Sequence, residues 1–148
     1  MNVEEVIKTD KKIPLESRTI IHFFLVNNKI NETISAALKD FDISLQQFNV
    51  LRILRGQKEK PANLFTLNER MITKMSNTTR LVDKLILKGF VVRMVCPSNR
   101  RKVEIRITQE GSAALEKMDA SMKGAESEIL KNLSAKELEQ LNELFNKF

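Results

Sequence analysis

The sequence predicts a mainly α fold carrying one small β-hairpin, and three observations lead there. Apolar stripes at spacings of three and four residues flank a central segment on both sides. Within that segment a polar helix signal, Thr73 to Lys88, stops at Gly89 and runs into two β-rich stretches, Phe90 to Val95 and Lys102 to Ile107. Basic charge is concentrated in the same place. From Arg70 to Arg106 there are ten Lys or Arg against only Asp83 and Glu104, a net of +8, whereas the remainder of the chain is net −2. A helix that shows cationic and hydrogen-bonding side chains, followed by a basic hairpin, is the pattern of a winged helix-turn-helix: the helix enters the major groove and the wing lies on the backbone or in the minor groove. Such a concentration of charge is the electrostatic footprint of a polyanion-binding surface.

With 148 residues and 42% hydrophobic content, the chain is long enough for one domain with a core, 1–148. The winged-helix core is expected over 44–108, and dimerisation helices over 15–41 and 109–148. No uninterrupted apolar run is long enough to span a bilayer, and the N-terminus lacks a leader pattern, so a cytoplasmic protein with no membrane partner is expected. One cysteine and one histidine leave no disulfide framework and no zinc spacing, so no metal is expected. There is no glycine-rich phosphate loop, nucleophile elbow or His-Glu metal motif. Neither a cofactor nor an enzymatic activity is called for.

Met1 to Pro14 has scattered charge and little periodicity, which predicts a partly mobile arm. From Leu15 to about Lys39 a helix is predicted, because Ile20, Phe23, Asn27, Ile30, Ile34 and Ala37 share one face. Ile21, Phe24 and Leu25 make a second face apolar too, so this helix needs two sets of neighbours. Ser44-Leu-Gln-Gln47 matches a capping box, and Phe48, Leu51 and Leu54 then point inward until Arg55-Gly56 ends the helix. Asn63 can cap a short helix, Leu64 to Met71; Thr73 is the expected N-cap of the recognition helix, whose inward residues are Thr78, Leu81, Val82 and Leu85. After the hairpin, Thr108 opens a long helix to Asn132-Leu133. Its Leu115, Met118, Met122, Ala125, Ile129 and Leu133 approach a coiled-coil seam. Ser134-Ala-Lys-Glu137 is a second capping box, and Leu138, Leu141, Phe145 and Phe148 form the edge of the last helix. A compact winged helix cannot bury three further stripes, whereas a second copy can. The expected dimer interface is therefore Ile20, Phe23, Leu115, Met118, Met122, Ile129, Leu133, Leu138, Leu141 and Phe145.

The expected DNA-contacting side chains are Lys74, Ser76, Asn77, Thr79, Arg80 and Lys84 on the recognition helix, with Arg100, Arg101 and Lys102 on the wing. Ser76 and Asn77 sit in the first turn, where short polar side chains reach base edges, and Arg80 reaches phosphate or guanine. Arg100 and Arg101 are expected at the hairpin tip, Arg101 entering the minor groove. His22, Phe24 and Phe48 are candidates to line an effector cavity, although core packing explains the aromatic residues equally well. Cys96 has Arg93, Arg100 and Arg101 nearby in sequence, a setting that suits either a redox-responsive thiol or a spectator.

Leu45-Gln-Gln-Phe-Asn-Val-Leu51, Thr79-Arg-Leu-Val-Asp-Lys-Leu85 before Lys88-Gly89, and Asn99-Arg-Arg101 followed by Ile107-Thr-Gln-Glu-Gly111 together resemble a MarR-type transcriptional regulator over essentially the whole chain. The resemblance implies a homodimer built from the terminal helices that binds a pseudo-palindromic operator in double-stranded DNA. It also implies a repressor released by a small aromatic or phenolic effector, or by cysteine oxidation. The chain departs from the family's wing, which usually carries acidic residues where Cys96 and Asn99 stand. Cys96 also lies in the wing and not in the first helix, where the family's peroxide-sensing cysteines usually lie. Two alternatives follow: a winged-helix module that docks on protein without reading DNA, and a redox-responsive repressor using Cys96.

Overall fold

The computed structural model describes residues 1–58, 60–73 and 77–148, with Arg101 described by its backbone alone. Among these, helices α1 (Val3–Val6), α2 (Leu15–Leu38), α3 (Leu45–Gly56), α4 (Leu64–Arg70) and α5 (Thr78–Leu87) precede strands β1 (Val91–Cys96) and β2 (Asn99–Ile107). Helices α6 (Gln109–Leu130) and α7 (Ala135–Phe145) complete the chain. It divides into two compact units, 35–124 and the joined termini 1–34 with 125–148, and α2 and α6 each run from one into the other.

The unit of 35–124 is the winged helix. Ser44 caps α3 through a capping box with Gln47, as its sequence predicts. Asn63 caps α4 by accepting from the Thr66 amide at 2.9 Å. Phe48, Leu51, Leu67, Val82, Leu85 and Ile105 are almost wholly buried. Leu115 and Met118 are fully buried as well, and Met122 is 7% exposed. This corrects their assignment to a dimer interface: the single chain already covers them, leaving no surface for a partner. A stripe at spacings of three and four reports an apolar face but not which neighbour covers it.

The hairpin is antiparallel, pairing Val91 with Ile107, Arg93 with Ile105 and Val95 with Val103. There the register breaks, and Cys96 pairs with Asn99 across the turn at Pro97 and Ser98. Arg100, Arg101 and Lys102 thus fall between two paired positions as extra residues of β2, a bulge in the ladder. The wing tip expected over Cys96 to Arg101 is correspondingly shorter, and the two arginines lie on the strand behind it. Ala62 adds an isolated bridge to Ile105, with reciprocal hydrogen bonds of 3.2 and 2.7 Å.

One junction fixes where the hairpin leaves and re-enters the helices. Gly89 ends the turn after α5 with φ +74°, a left-handed conformation that strains other residues. The Thr108 hydroxyl donates to the Gly89 carbonyl at 2.7 Å and accepts from the Gly111 amide at 2.9 Å. The Thr108 amide donates to the Phe90 carbonyl at 3.0 Å. Gly111 lies so close to this backbone that a Cβ there would come 2.1 Å from the Phe90 oxygen.

In the unit formed by the termini, the first residues are not the arm that their irregular sequence predicts. Asn2 caps α1, Val3 is fully buried, and Glu4 accepts from Arg18 Nε at 2.8 Å and Nη2 at 3.1 Å. That guanidinium holds the Glu4 carboxyl below the ordinary carboxylate range. A short apolar residue and one carboxylate thus dock a segment too brief to show periodicity. On α2, the Phe23 ring lies 6.1 Å from that of Phe145 and 5.8 Å from that of Phe148. Ser134 and Glu137 form the expected capping box of α7. Several apolar side chains of this unit remain exposed, including Ile20 at 52%, Phe24 at 64%, Leu144 at 54% and Phe145 at 47%. The α6 helix ends at Leu130, three residues before the expected Leu133.

Candidate nucleic-acid interface

The recognition helix begins later than its sequence signal implies. Thr73 lies in a bend, and α5 starts at Thr78 with Asn77 as its N-cap residue. The reason is the inward pull of Thr78, which is 3% exposed and donates its hydroxyl to the Asn68 side chain on α4. That bond ties the two helices of the helix-turn-helix together at the N-terminus of the second. The Asn77 carbonyl accepts from the Arg80 and Leu81 amides at 3.1 and 3.4 Å, while its side chain makes no capping bond and is exposed.

Thr78, Val82 and Leu85 bury one face of α5, and Asn77, Thr79, Arg80, Asp83 and Lys84 are exposed around the others. Asn77, Arg80 and Lys84 stand at i, i+3 and i+7, one stripe along the helix. Lys74 and Ser76 lie outside the described residues. On the wing, Arg100 and Lys102 are exposed, and the Arg101 backbone sits between them. Six of the nine expected contact residues thereby lie in α5 or β2, and a seventh, Asn77, is the N-cap residue of α5.

Two ion pairs hold this surface in place, and neither is readable from helical or strand periodicity. Asp83 on α5 accepts from Arg93 Nη2 on β1 at 2.8 Å, linking the recognition helix to the wing. Lys88, just past α5, donates to Asp42 at 2.7 Å. Lys88 beside Asp42, with Lys84 near it, holds that carboxyl below its ordinary range. Opposite charges ten residues apart in sequence were the only available signal for the Asp83–Arg93 pair. Removing it with Asp83→Asn should leave the fold intact, since an exposed pair contributes about 0.2–1 kcal/mol, yet it releases the wing from the helix. The expected result is a threefold to tenfold loss of DNA affinity at a melting temperature within about 4 °C of the parent, read by fluorescence anisotropy and thermal unfolding. Parental affinity in this variant would exclude a positioning role.

Arg93 is turned toward Asp83, so it does not join Arg100 around Cys96 as their proximity in sequence suggests. The Cys96 sulfur instead lies 3.1 Å from the Ser98 hydroxyl. The expected effector residues fall in both units. Phe48 is 1% exposed in the winged-helix core, with the Arg52 guanidinium 5.7 Å from its ring centroid. In the other unit Phe24 is 64% exposed, and His22 Nε2 lies 3.2 Å from the Met1 carbonyl oxygen. Three cavities of about 300 to 610 Å³ in the winged-helix unit are lined by none of the three residues. Phe48 is part of the winged-helix core.

The sequence model of the MarR family matches residues 43–103, which contain α3 to most of β2. The multiple antibiotic resistance protein MarR of Escherichia coli is 30% identical over 130 residues, 86% of this chain and 87% of that protein. Its counterpart in Salmonella typhimurium is 29% identical over 128 residues, 84% of this chain and 85% of that one. Among solved structures, a MarR-like transcription regulator from Bacillus cereus superposes with a TM-score of 0.79 at 21% identity, covering 90% of this chain and 96% of its own. A cysteine-to-serine mutant of Escherichia coli MarR complexed with operator DNA gives a TM-score of 0.76 at 28% identity, covering 90% and 93%. A winged helix with this basic face, a near full-length relative at this identity and these superpositions lead to one assignment: the chain belongs to the MarR family of transcription regulators.

Proposed function

We propose that the protein is a homodimeric transcriptional repressor that binds a pseudo-palindromic DNA operator and is released by a small-molecule effector. The observation that carries the DNA reading is the basic face running from Asn77, Arg80 and Lys84 on α5 to Arg100 and Lys102 on the wing, with the Asp83–Arg93 pair linking the two. An α5 helix presents this face to base edges and phosphates in the major groove, and the bulged arginines of β2 approach the backbone or minor groove. The solved complex of the Escherichia coli relative with operator DNA supports the reading. Lys74, Ser76 and Arg101 belong to the same proposed surface by sequence. Regulation without catalysis, in the cytoplasm, fits this role, and among the described residues no helix is long and apolar enough to cross a membrane.

Dimerisation is supported by the exposed apolar side chains of the terminal unit, among them Ile20, Leu133, Leu141 and Phe145, since a monomer seldom leaves such a set open to water. Two recognition helices related by a two-fold axis would meet half-sites about 34 to 36 Å apart. Selection of bound duplexes from a random library tests this directly, and a single asymmetric motif would overturn it.

Asn77→Ala should relax sequence preference, at about 1–3 kcal/mol of discrimination for a lost bidentate base contact. Arg80→Ala should instead weaken specific and random duplexes evenly and reduce the salt slope by about 0.9 if Arg80 neutralises one phosphate. Anisotropy titrations across a salt series separate the two. An unchanged selected motif for Asn77→Ala would remove that residue as a base reader.

A further inference from the structure

Among the described residues, four helices are capped in one way and the recognition helix departs from them. Asn2, Ser44, Asn63 and Ser134 each hold an extended backbone, with ψ between 123° and 176°, and the side-chain oxygen of each accepts a backbone amide of the first turn. Asn77 occupies the same position on α5 with φ −127° and ψ 29°, and its side chain makes no capping bond. The Arg80 amide, the usual partner of a capping side chain, donates instead to the Asn77 main-chain carbonyl at 3.1 Å. Asparagine is among the strongest capping residues, so an exposed Asn side chain that does not cap its own helix has a cause. That cause lies one residue further on. Thr78 is buried and donates its hydroxyl to the side-chain oxygen of Asn68 on α4, and its branched side chain has few χ1 choices. With the first helical residue held from outside, the backbone of Asn77 turns instead of running extended, and its side chain is not brought over the first amides.

We propose that Asn68 is a positioning residue for sequence readout: its bond to Thr78 fixes the start of α5 in place of a side-chain cap and leaves the Asn77 side chain free to read a base edge. The inference rests on the base-reading role proposed for Asn77 and names the residue that makes that role possible. A bidentate contact to adenine uses the oxygen and the NH2 of an Asn side chain together, and a cap would occupy that oxygen. The two uses therefore compete. Asn68 is exposed on α4 and is not one of the side chains expected to touch DNA. Cutting its bond changes which partner Asn77 serves, while the cations that meet the phosphates stay the same in number.

Dissociation constants of the full chain for the operator recovered by selection and for a random duplex are measured at one salt concentration, and the preference between them is the readout. Asn68→Ala should lower that preference at least about fivefold, the lower end for a lost bidentate contact, while affinity for the random duplex stays within about twofold. Thr78→Val removes the partner hydroxyl and should do the same, whereas Thr78→Ser keeps a hydroxyl and should retain the parental preference. In an Asn77→Ala background, Asn68→Ala should lower the preference by less than about twofold, because the side chain it redirects is gone. In the free protein, the carbon chemical shifts of Asn77 should move in Asn68→Ala toward those of Asn63, which caps α4. The proposal is overturned if Asn68→Ala keeps the parental preference, if the two losses add in the double variant, if Thr78→Ser loses as much as Thr78→Val, or if the Asn77 shifts do not move. A parental preference in Asn77→Ala overturns it together with the base-reading role. A loss in Asn77→Ala with none in Asn68→Ala overturns this inference alone and leaves that role standing.

Discussion

Gly111→Ala is expected to destabilise the protein by at least about 4 kcal/mol, because the added methyl group meets backbone. A Cβ at this position would lie 2.1 Å from the Phe90 oxygen and 3.0 Å from Ile107 Cγ1, and the first of these is backbone that cannot rotate away. Relief requires moving the start of α6 from the turn before β1. Such a shift breaks the Thr108 bridge, whose hydroxyl serves the Gly89 carbonyl and the Gly111 amide together. Urea unfolding of the parent and variant measures the difference. Gly124→Ala is the control, because nothing lies within 4 Å of its Cβ position and alanine favours a helix. A loss below about 1 kcal/mol for Gly111→Ala would show that the junction can yield, contrary to its geometry.

Ile20→Asp combined with Phe145→Asp is expected to convert the proposed dimer to a monomer. Both side chains are about half exposed in the single chain, at 52% and 47%, so the protomer tolerates the change while an apolar interface does not. Two carboxylates buried in such an interface should weaken association at least about a hundredfold, or roughly 2.8 kcal/mol. Loss of the second half-site contact should then weaken binding to an inverted repeat far more than binding to a single half-site. Sedimentation velocity at micromolar concentration and circular dichroism give the two readouts. A dimer that persists with parental affinity would place its interface away from these residues.

Much of the fold is legible in the sequence because its signals are local. Both capping boxes, the Asn63 cap, the extent of α2 and the inward face of α5 follow from residues within a turn or two of each other. The misreadings share a different cause. Val3 is buried by contacts outside its own segment, Leu115 and Met118 face their own core and not a partner, and Thr78 sets the start of α5 through Asn68 ten residues away. Periodicity identifies an apolar face but is silent on its occupant. The same limit applies to the candidate interface. Arg80, Lys84 and Arg100 announce themselves by charge and spacing, whereas the pairing of Asp83 with Arg93 exists only once the chain is folded.

The hairpin's broken register has a consequence for how the wing stores and spends conformational entropy. Its root is clamped on both sides, by the ladder from Val91 to Val95 and by the reciprocal bonds of Ile105 with Ala62. Beyond Val95 and Val103 the ladder stops, and three basic residues pass before pairing resumes at the turn. Amide hydrogens should therefore exchange slowly at Ile105 and fast at Arg100 to Lys102, a gradient along a single strand. On the proposed DNA reading, a wing built this way would keep its origin registered to the recognition helix while its less-paired end follows a minor groove whose width varies with sequence. In that proposed complex, ordering the end on DNA would cost entropy at each binding event, which favours a repressor that can also let go.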